Sequence, residues 1–339
     1  MGGLEAIRNL YEYNKWANDR VVAAATVLSE DQLRREAGVS MGSALANLQH
    51  IVDAQTGWLA FWQGSERQQA PEPPQDRALE WLRERYARSH EELARFVRSL
   101  TEADSGRALE YTDRDGVTYR WLLWQLMCHV ANHGTQHRAE TGLALMELGS
   151  SPGDLDYGHF CDIRGSAAPG SLEMVRTLYG YNEWANGRIL AALAGLSDEE
   201  LLRPRGVSHN SLGMDLLHLV GGQVGWLSNW QEGAPWVPLP AAASGRFDDN
   251  LADWFRRSQE AIREFIGSLT GEELGEKRTD QMPGGRSRQM LLWDMMLHVV
   301  NHGTQHRSEA AMALTAMGRS PGDLDFLDYV DEREGGRGK

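Results

Sequence analysis

The chain has 339 residues, enough for two domains of ordinary size, and its 41% hydrophobic content suits a protein that buries real cores. A formal charge of −14 argues against the clustered positive surface that nucleic-acid backbones or anionic membranes require, which leaves a small molecule as the expected partner. Residues 1–20, MGGLEAIRNLYEYNKWANDR, place charges where a signal peptide needs an apolar core, and no run of roughly 18 apolar residues occurs anywhere. Two cysteines, Cys128 and Cys161, make no disulfide framework, so a reducing, cytoplasmic setting is expected.

Apolar residues at three- and four-residue intervals predict a first helix over 4–27, carrying LYEYNKWANDR at 10–20. A second, over 43–64, runs an apolar face through Leu48, Ile51, Ala54, Trp58 and Trp62, with His50 on its edge and within reach of a bundle interior. APEPPQDR at 70–77 reads as a loop before a third helix over 76–101. YTDRDGVT at 111–118 reads as another loop before a fourth helix over 118–148, and neither half offers a convincing run of alternating strand residues. The fourth helix holds HVANHGTQHR at 129–138. LGSSPGDLDY follows at 148–157, a turn combined with a helix or strand start that is expected to seal the bundle's end.

After the small, flexible run RGSAAPGS at 164–171 the same words return: LYGYNEWANGR at 178–188, HVVNHGTQHR at 298–307 and MGRSPGDLDF at 317–326. The chain therefore reads as a tandem duplication, with expected domains 1–165 and 166–339, each an all-α four-helix bundle. The tryptophans keep register too, Trp16 with Trp184, Trp58 with Trp226, Trp62 with Trp230 and Trp124 with Trp293, mostly as core, with those near His50 and His218 as candidate pocket walls.

A helix turns about 100° and rises about 1.5 Å per residue, so positions four apart stack on one face. His133 and His137 can thus present two imidazoles to one metal ion, although a pair alone reads equally well as a polar stripe. A third histidine on a different helix changes the balance. His50 precedes Trp58 by eight residues, as His218 precedes Trp226, and both copies hold all three histidines. Three buried imidazoles without a metal would leave several polar nitrogens to satisfy, so a metal site is expected in each half.

His129 and His298 lie one turn upstream. As fourth ligands they would close a structural site; the reading preferred here has three ligands, an open position, and the upstream histidine in support. Gly134 and Gly303 break helix propensity by about 1 kcal/mol at the same place twice, which implies close approach of a neighbouring helix or a bound molecule. Glu140 and Glu309, three residues after His137 and His306, are placed to orient a ligand or move a proton, or else are solvated carboxylates. His209 has Met41 at its counterpart and Cys128 has Leu297, so the two pockets differ in their surroundings and only one of them need be competent.

YNKWAN, LQHIVDAQTGWL, NHGTQHRAE and GSSPGDLDY, in order and repeated, resemble the DinB/YfiT-like superfamily of bacterial metal-binding helix bundles over nearly the whole chain. The resemblance implies an up-down-down-up bundle in each half with one divalent ion, usually zinc or nickel. By position its ligands would be His50, His133 and His137, and His218, His302 and His306. The resemblance further implies a metal-dependent S-transferase that joins a low-molecular-weight thiol, such as bacillithiol, mycothiol or glutathione, to small electrophiles. A metal-dependent hydrolase and a non-catalytic metal-binding stress-response protein are the alternatives. Where the family often reads HHRGQ, this chain has QHRAE and QHRSE, so Glu140 and Glu309 replace an amide whose role does not transfer. Because single-domain members often dimerise, the tandem chain is expected as a monomer with its halves in a pseudo-dimer, or as a homodimer.

Overall fold

The computed structural model describes residues 3–65, 71–74, 77–113, 115–165, 168–205, 208–231, 246–281 and 287–334. The helical periodicity of the first half becomes α1 (Leu4–Ala25), the short α2 (Glu30–Leu33), α3 (Ala44–Trp62), α4 (Ala78–Ser99), the short α5 (Glu102–Ser105) and α6 (Leu123–Glu147). After α7 (Tyr157–Arg164) the second half repeats the set as α8 (Leu172–Leu193), α9 (Asp198–Leu202), α10 (Leu212–Trp230), α11 (Phe247–Ser268) and α12 (Leu292–Ala316), and α13 (Phe326–Glu334) follows. Serines start three of the long helices. Ser43, Ser171 and Ser211 each accept a hydrogen bond from the amide three residues on, satisfying one of the donors a helix start leaves open.

In the first bundle α1 packs on α6 and α4, and α3 packs on the same two; in the second α8 and α10 each pack on α12 and α11. The ring of neighbours therefore runs first, fourth, second, third. The connection from the first long helix to the second crosses the bundle, unlike the hairpins of an up-down-up-down arrangement. No helix among the described residues is long and apolar enough to cross a membrane.

One expectation is corrected. The expected loop at 111–118 is the turn of a hairpin, and 118–122 is strand and not helix start: β1 (Ala108–Thr112) pairs antiparallel with β2 (Thr118–Leu122), Tyr111 opposite Tyr119, and α6 begins only at Leu123. Tyr111, Tyr119 and Trp121 stack with centroids 5.2–6.4 Å apart, and the Asp113 carboxylate accepts from the amides of Asp115 and Val117 at 2.9 Å each to close the turn. The second half matches this with β3 (Lys277–Gln281) and β4 (Ser287–Leu291). Of APEPPQDR, residues 71–74 and 77 carry no helix or strand and the rest lies outside the described residues, as do 166–167 of RGSAAPGS.

Contacts gather the chain into two compact units, residues 1–155 with 323–339, and residues 156–322. The helix after the first repeat, α7, packs on α12, and the one after the second, α13, packs on α6. Each SPGDLD segment is thus cut between its turn, which stays with its own bundle, and its last aspartate, which serves the other unit. The turn of the first closes its bundle through the Tyr13 hydroxyl, which donates to the carbonyl of Leu155 at 3.0 Å.

The motif YNxWAN shares a buried cation with the fourth helix. Arg138, 2% exposed, donates to Asn14 at 2.6 Å, to Asn18 at 3.0 Å and to Thr135 at 2.9 Å. Arg307 repeats this with Asn182, with Asn186 at 3.1 Å and with Thr304 at 3.2 Å. The pairing explains the glycines: a Cβ at Gly134 would lie 2.7 Å from the Arg138 guanidinium and 2.8 Å from Asn14 Oδ1, and one at Gly303 would meet Arg307 and Asn182 at 2.7 Å. A neighbouring helix, not a ligand, makes the approach. Asn14→Ala should lower the unfolding free energy by about 1–3 kcal/mol, since it strands part of a buried charged donor; a urea titration that shows no shift of the first unfolding transition would contradict the clamp.

Candidate metal centre

In the first unit α3 and α6 bring His50, His133 and His137 together. The Nε2 atoms of His50 and His133 are 3.0 Å apart, ring centroids of the trio lie 4.4–4.9 Å from one another, and one nitrogen from each falls within 4.8 Å of the others. Burial and then the charge of His137 push His50 below its ordinary pKa, and burial with the neighbouring histidines pushes His133 further. Both shifts disfavour the charged forms of His50 and His133, and the 3.0 Å contact between their Nε2 atoms is an N–H···N hydrogen bond in one tautomer only. Three imidazoles gathered in this way suit a borderline cation such as zinc.

Behind His137 stands Glu140, 4% exposed, 3.5 Å from Nδ1. The carboxylate also accepts from the Ser40 amide at 3.1 Å, from the Ser40 hydroxyl, and from the Asn47 amide at 3.1 Å, and Ser40 Oγ lies 3.1 Å from His137 Nδ1. Burial alone would raise the carboxyl, but the bonds from His137 and Ser40 together hold it below its ordinary value. Glu140 is thus no solvated surface charge. It accepts at Nδ1 and leaves Nε2 as the exposed lone pair.

In the second unit the rings of His218, His302 and His306 lie 4.4–5.0 Å apart, yet the donor atoms group differently. One set within 4.8 Å joins His209, His218 and His306; another joins Asp156, His298 and His302. Glu309 holds His306 Nδ1 at 2.9 Å and accepts from Ser208 at 2.6 Å, as Glu140 does in the first unit. Asp156 caps α7 through the Gly158 amide at 2.7 Å, pairs with His298, and lies 3.1 Å from His302 Nδ1.

The upstream histidines are held by these late carboxylates. His129 Nδ1 lies 2.9 Å from Asp325 and its ring 5.1 Å from Trp58; His298 pairs with Asp156 and sits 4.5 Å from Trp226. His129 belongs to none of the donor groups, and the tryptophans flank the upstream histidines. Sequence reasoning missed Asp156, Asp325, Ser40 and Ser208. The aspartates had a signal, since each stands as a helix-capping residue in the repeated SPGDLD.

Two tandem helix bundles with inward histidines and buried carboxylates behind them define a class of helix-bundle protein whose histidine clusters could hold a metal ion. The sequence model of the DinB family matches residues 4–171 and again 169–336, and the chain belongs to that family. It is 24% identical over 156 residues to protein DinB of Bacillus subtilis (strain 168), an alignment covering 44% of this chain and 90% of that protein. No solved structure matches it.

The titration of these rings gives the metal-free protein a pH dependence of definite sign. Desolvation, then His302 and His306, brings His218 to about 3, and desolvation outweighs Asp156 to bring His302 to about 4, both from 6.5. Between 6.5 and those values the unfolded chain binds protons that the folded chain refuses, so stability falls as pH falls through the window. His209 is raised by its bond to Asp215, so its contribution is complete below 6.5 and lost at higher pH, which opposes the trend at one site only. The urea midpoint of metal-free protein should be lower at about pH 4.5 than at about pH 7.5; an equal or higher midpoint in acid would refute the buried, neutral histidines.

Proposed function

We propose that the chain is a divalent-metal-dependent enzyme that transfers a low-molecular-weight thiol to small electrophiles. The observation that supports this best is the convergence of His50, His133 and His137, whose donor atoms lie within 4.8 Å of one another with no fourth protein ligand among the described residues. Zinc or nickel fits three imidazoles and leaves a position for a ligand from solution. A bound ion would supply Lewis acidity, lowering the pKa of a thiol and holding the thiolate beside its target.

The chain's own residues supply what the ion does not. Neither cysteine offers a thiolate, because both are buried, with the Cys128 thiol pushed up to about 12 by burial and Cys161 also raised, so the sulfur nucleophile comes from outside. Glu140 fixes His137 through Nδ1, and Ser40 and Asn47 fix Glu140. The Arg138 clamp keeps α6 against α1, so the two histidines that precede it in sequence, His133 and His137, hold their angle to His50.

Elemental analysis of purified protein should find a divalent metal that His50→Ala reduces. Turnover of a chromogenic electrophile should require one of bacillithiol, mycothiol or glutathione. His133→Ala should lose more than about 100-fold, and Glu140→Gln about 10–100-fold, the range for a group that acts through a ligand. Metal-loaded protein inert with every thiol would sink the transferase reading, and thiol-independent turnover would move the assignment to hydrolysis.

A further inference from the structure

The two units use one loop with different side chains. Between α2 and α3 it carries Ala37 and Met41 and faces Asn47 in the first turn of α3; between α9 and α10 the corresponding places hold Arg205 and His209, facing Asp215 in the first turn of α10. The frame is common to both. The amide of Ala37 donates to the Gly42 carbonyl at 2.9 Å, as that of Arg205 does to Asn210 at 2.7 Å, and the amide of Met41 donates to Asn47 Oδ1 at 3.0 Å, as that of His209 does to Asp215 Oδ1 at 2.9 Å. Ser208, just before His209, adopts φ +50, a left-handed conformation uncommon for a residue with a side chain, and Ser40 does not.

The exchanged side chains form a chain of their own. Asp215, wholly buried, uses both oxygens: one lies 3.3 Å from His209 Nδ1 and the other pairs with Arg205. A buried carboxylate is costly unless paired in this way. With Nδ1–H directed at Asp215, the unprotonated nitrogen of His209 is Nε2. Its ring stacks on His218 at 3.9 Å and stands 5.1 Å from His306, with donor atoms of the three within 4.8 Å. A carboxylate behind a histidine that faces two others is the arrangement that orients a metal ligand. In the first unit, where Met41 replaces the ring, a neutral Asn47 stands in place of the carboxylate.

We propose that His209 is a metal donor of the second unit, forming with His218 and His306 the set of three whose donor atoms lie within 4.8 Å of one another, while His302 is held by Asp156; the first unit draws its three from His50, His133 and His137. This inference rests on the reading above that the histidine clusters hold a divalent ion.

The test is cobalt binding to full-length, metal-free protein with one site removed at a time. His50→Ala should leave one equivalent of cobalt, bound at the second site. His218→Ala should leave the first site alone. Adding His209→Met to His50→Ala should weaken cobalt binding by at least about tenfold, with Asp215→Asn moving in the same direction, whereas adding His302→Ala should weaken it less. Circular dichroism checks that each variant folds. Should His209→Met fail to fold, Met41→His with Asn47→Asp in the His218→Ala background decides, because it should tighten cobalt binding at the first site. An isotherm unchanged by His209→Met, or one that His302→Ala weakens as much, overturns the proposal while leaving the first site's reading intact. Absence of cobalt binding in the His218→Ala protein instead removes the reading on which the proposal stands.

Discussion

A helix buried on nearly every side cannot carry histidines, an arginine and a glutamate unless each finds a partner, because an unpaired polar group in such surroundings costs more than the helix can return. α6 and α12 are such helices: His137, Arg138 and Glu140, and His306, Arg307 and Glu309, are all at most 6% exposed. The rest of each bundle is arranged to answer them. α1 brings two asparagines to the arginine, α3 brings His50 and Asn47, the loop before α3 brings Ser40, and α13 brings Asp325 to His129. The crossing order of the bundle follows, since the first and second long helices must both touch the fourth.

Not every partner answers in the same way. Arg138 is satisfied by neutral amides and a hydroxyl, which accept its protons without demanding a metal or substrate, and it is therefore scaffold. The three imidazoles converge through nitrogens within 4.8 Å of one another, an arrangement that could hold a cation. Along a single helix, within a few residues, lie a closed polar network and an unfinished one.

The helices and the duplication were legible because both are periodic: a 3.6-residue pattern needs no partner to be seen, and two copies of a word need only be aligned. The clustering of His133 and His137 follows from four-residue spacing. What was not legible depends on distant chain. Asp325 meets His129 across a separation that no local rule spans, and Asp156 joins His302, a ring assigned by position to the other cluster, so the donor grouping in the second unit was invisible without coordinates. The hairpin at 108–122 was missed for a different reason. Its strands are only five residues each, and the stacking of Tyr111 on β1 with Tyr119 and Trp121 on β2 is a property of the folded ribbon.

The late carboxylates also bear on why the two repeats share one chain. Asp325 completes the surroundings of His129 in the first unit, yet it is encoded at the end of the second repeat; Asp156 does the same for His298 and His302 from the end of the first. Neither repeat alone contains the partner its own fourth helix requires, and covalent linkage supplies both at fixed stoichiometry. Linkage also removes a symmetry. Two copies of a single-domain chain must carry identical loops, whereas here Met41 with Asn47 and His209 with Asp215 occupy equivalent places and hold different chemistry behind the same backbone hydrogen bonds.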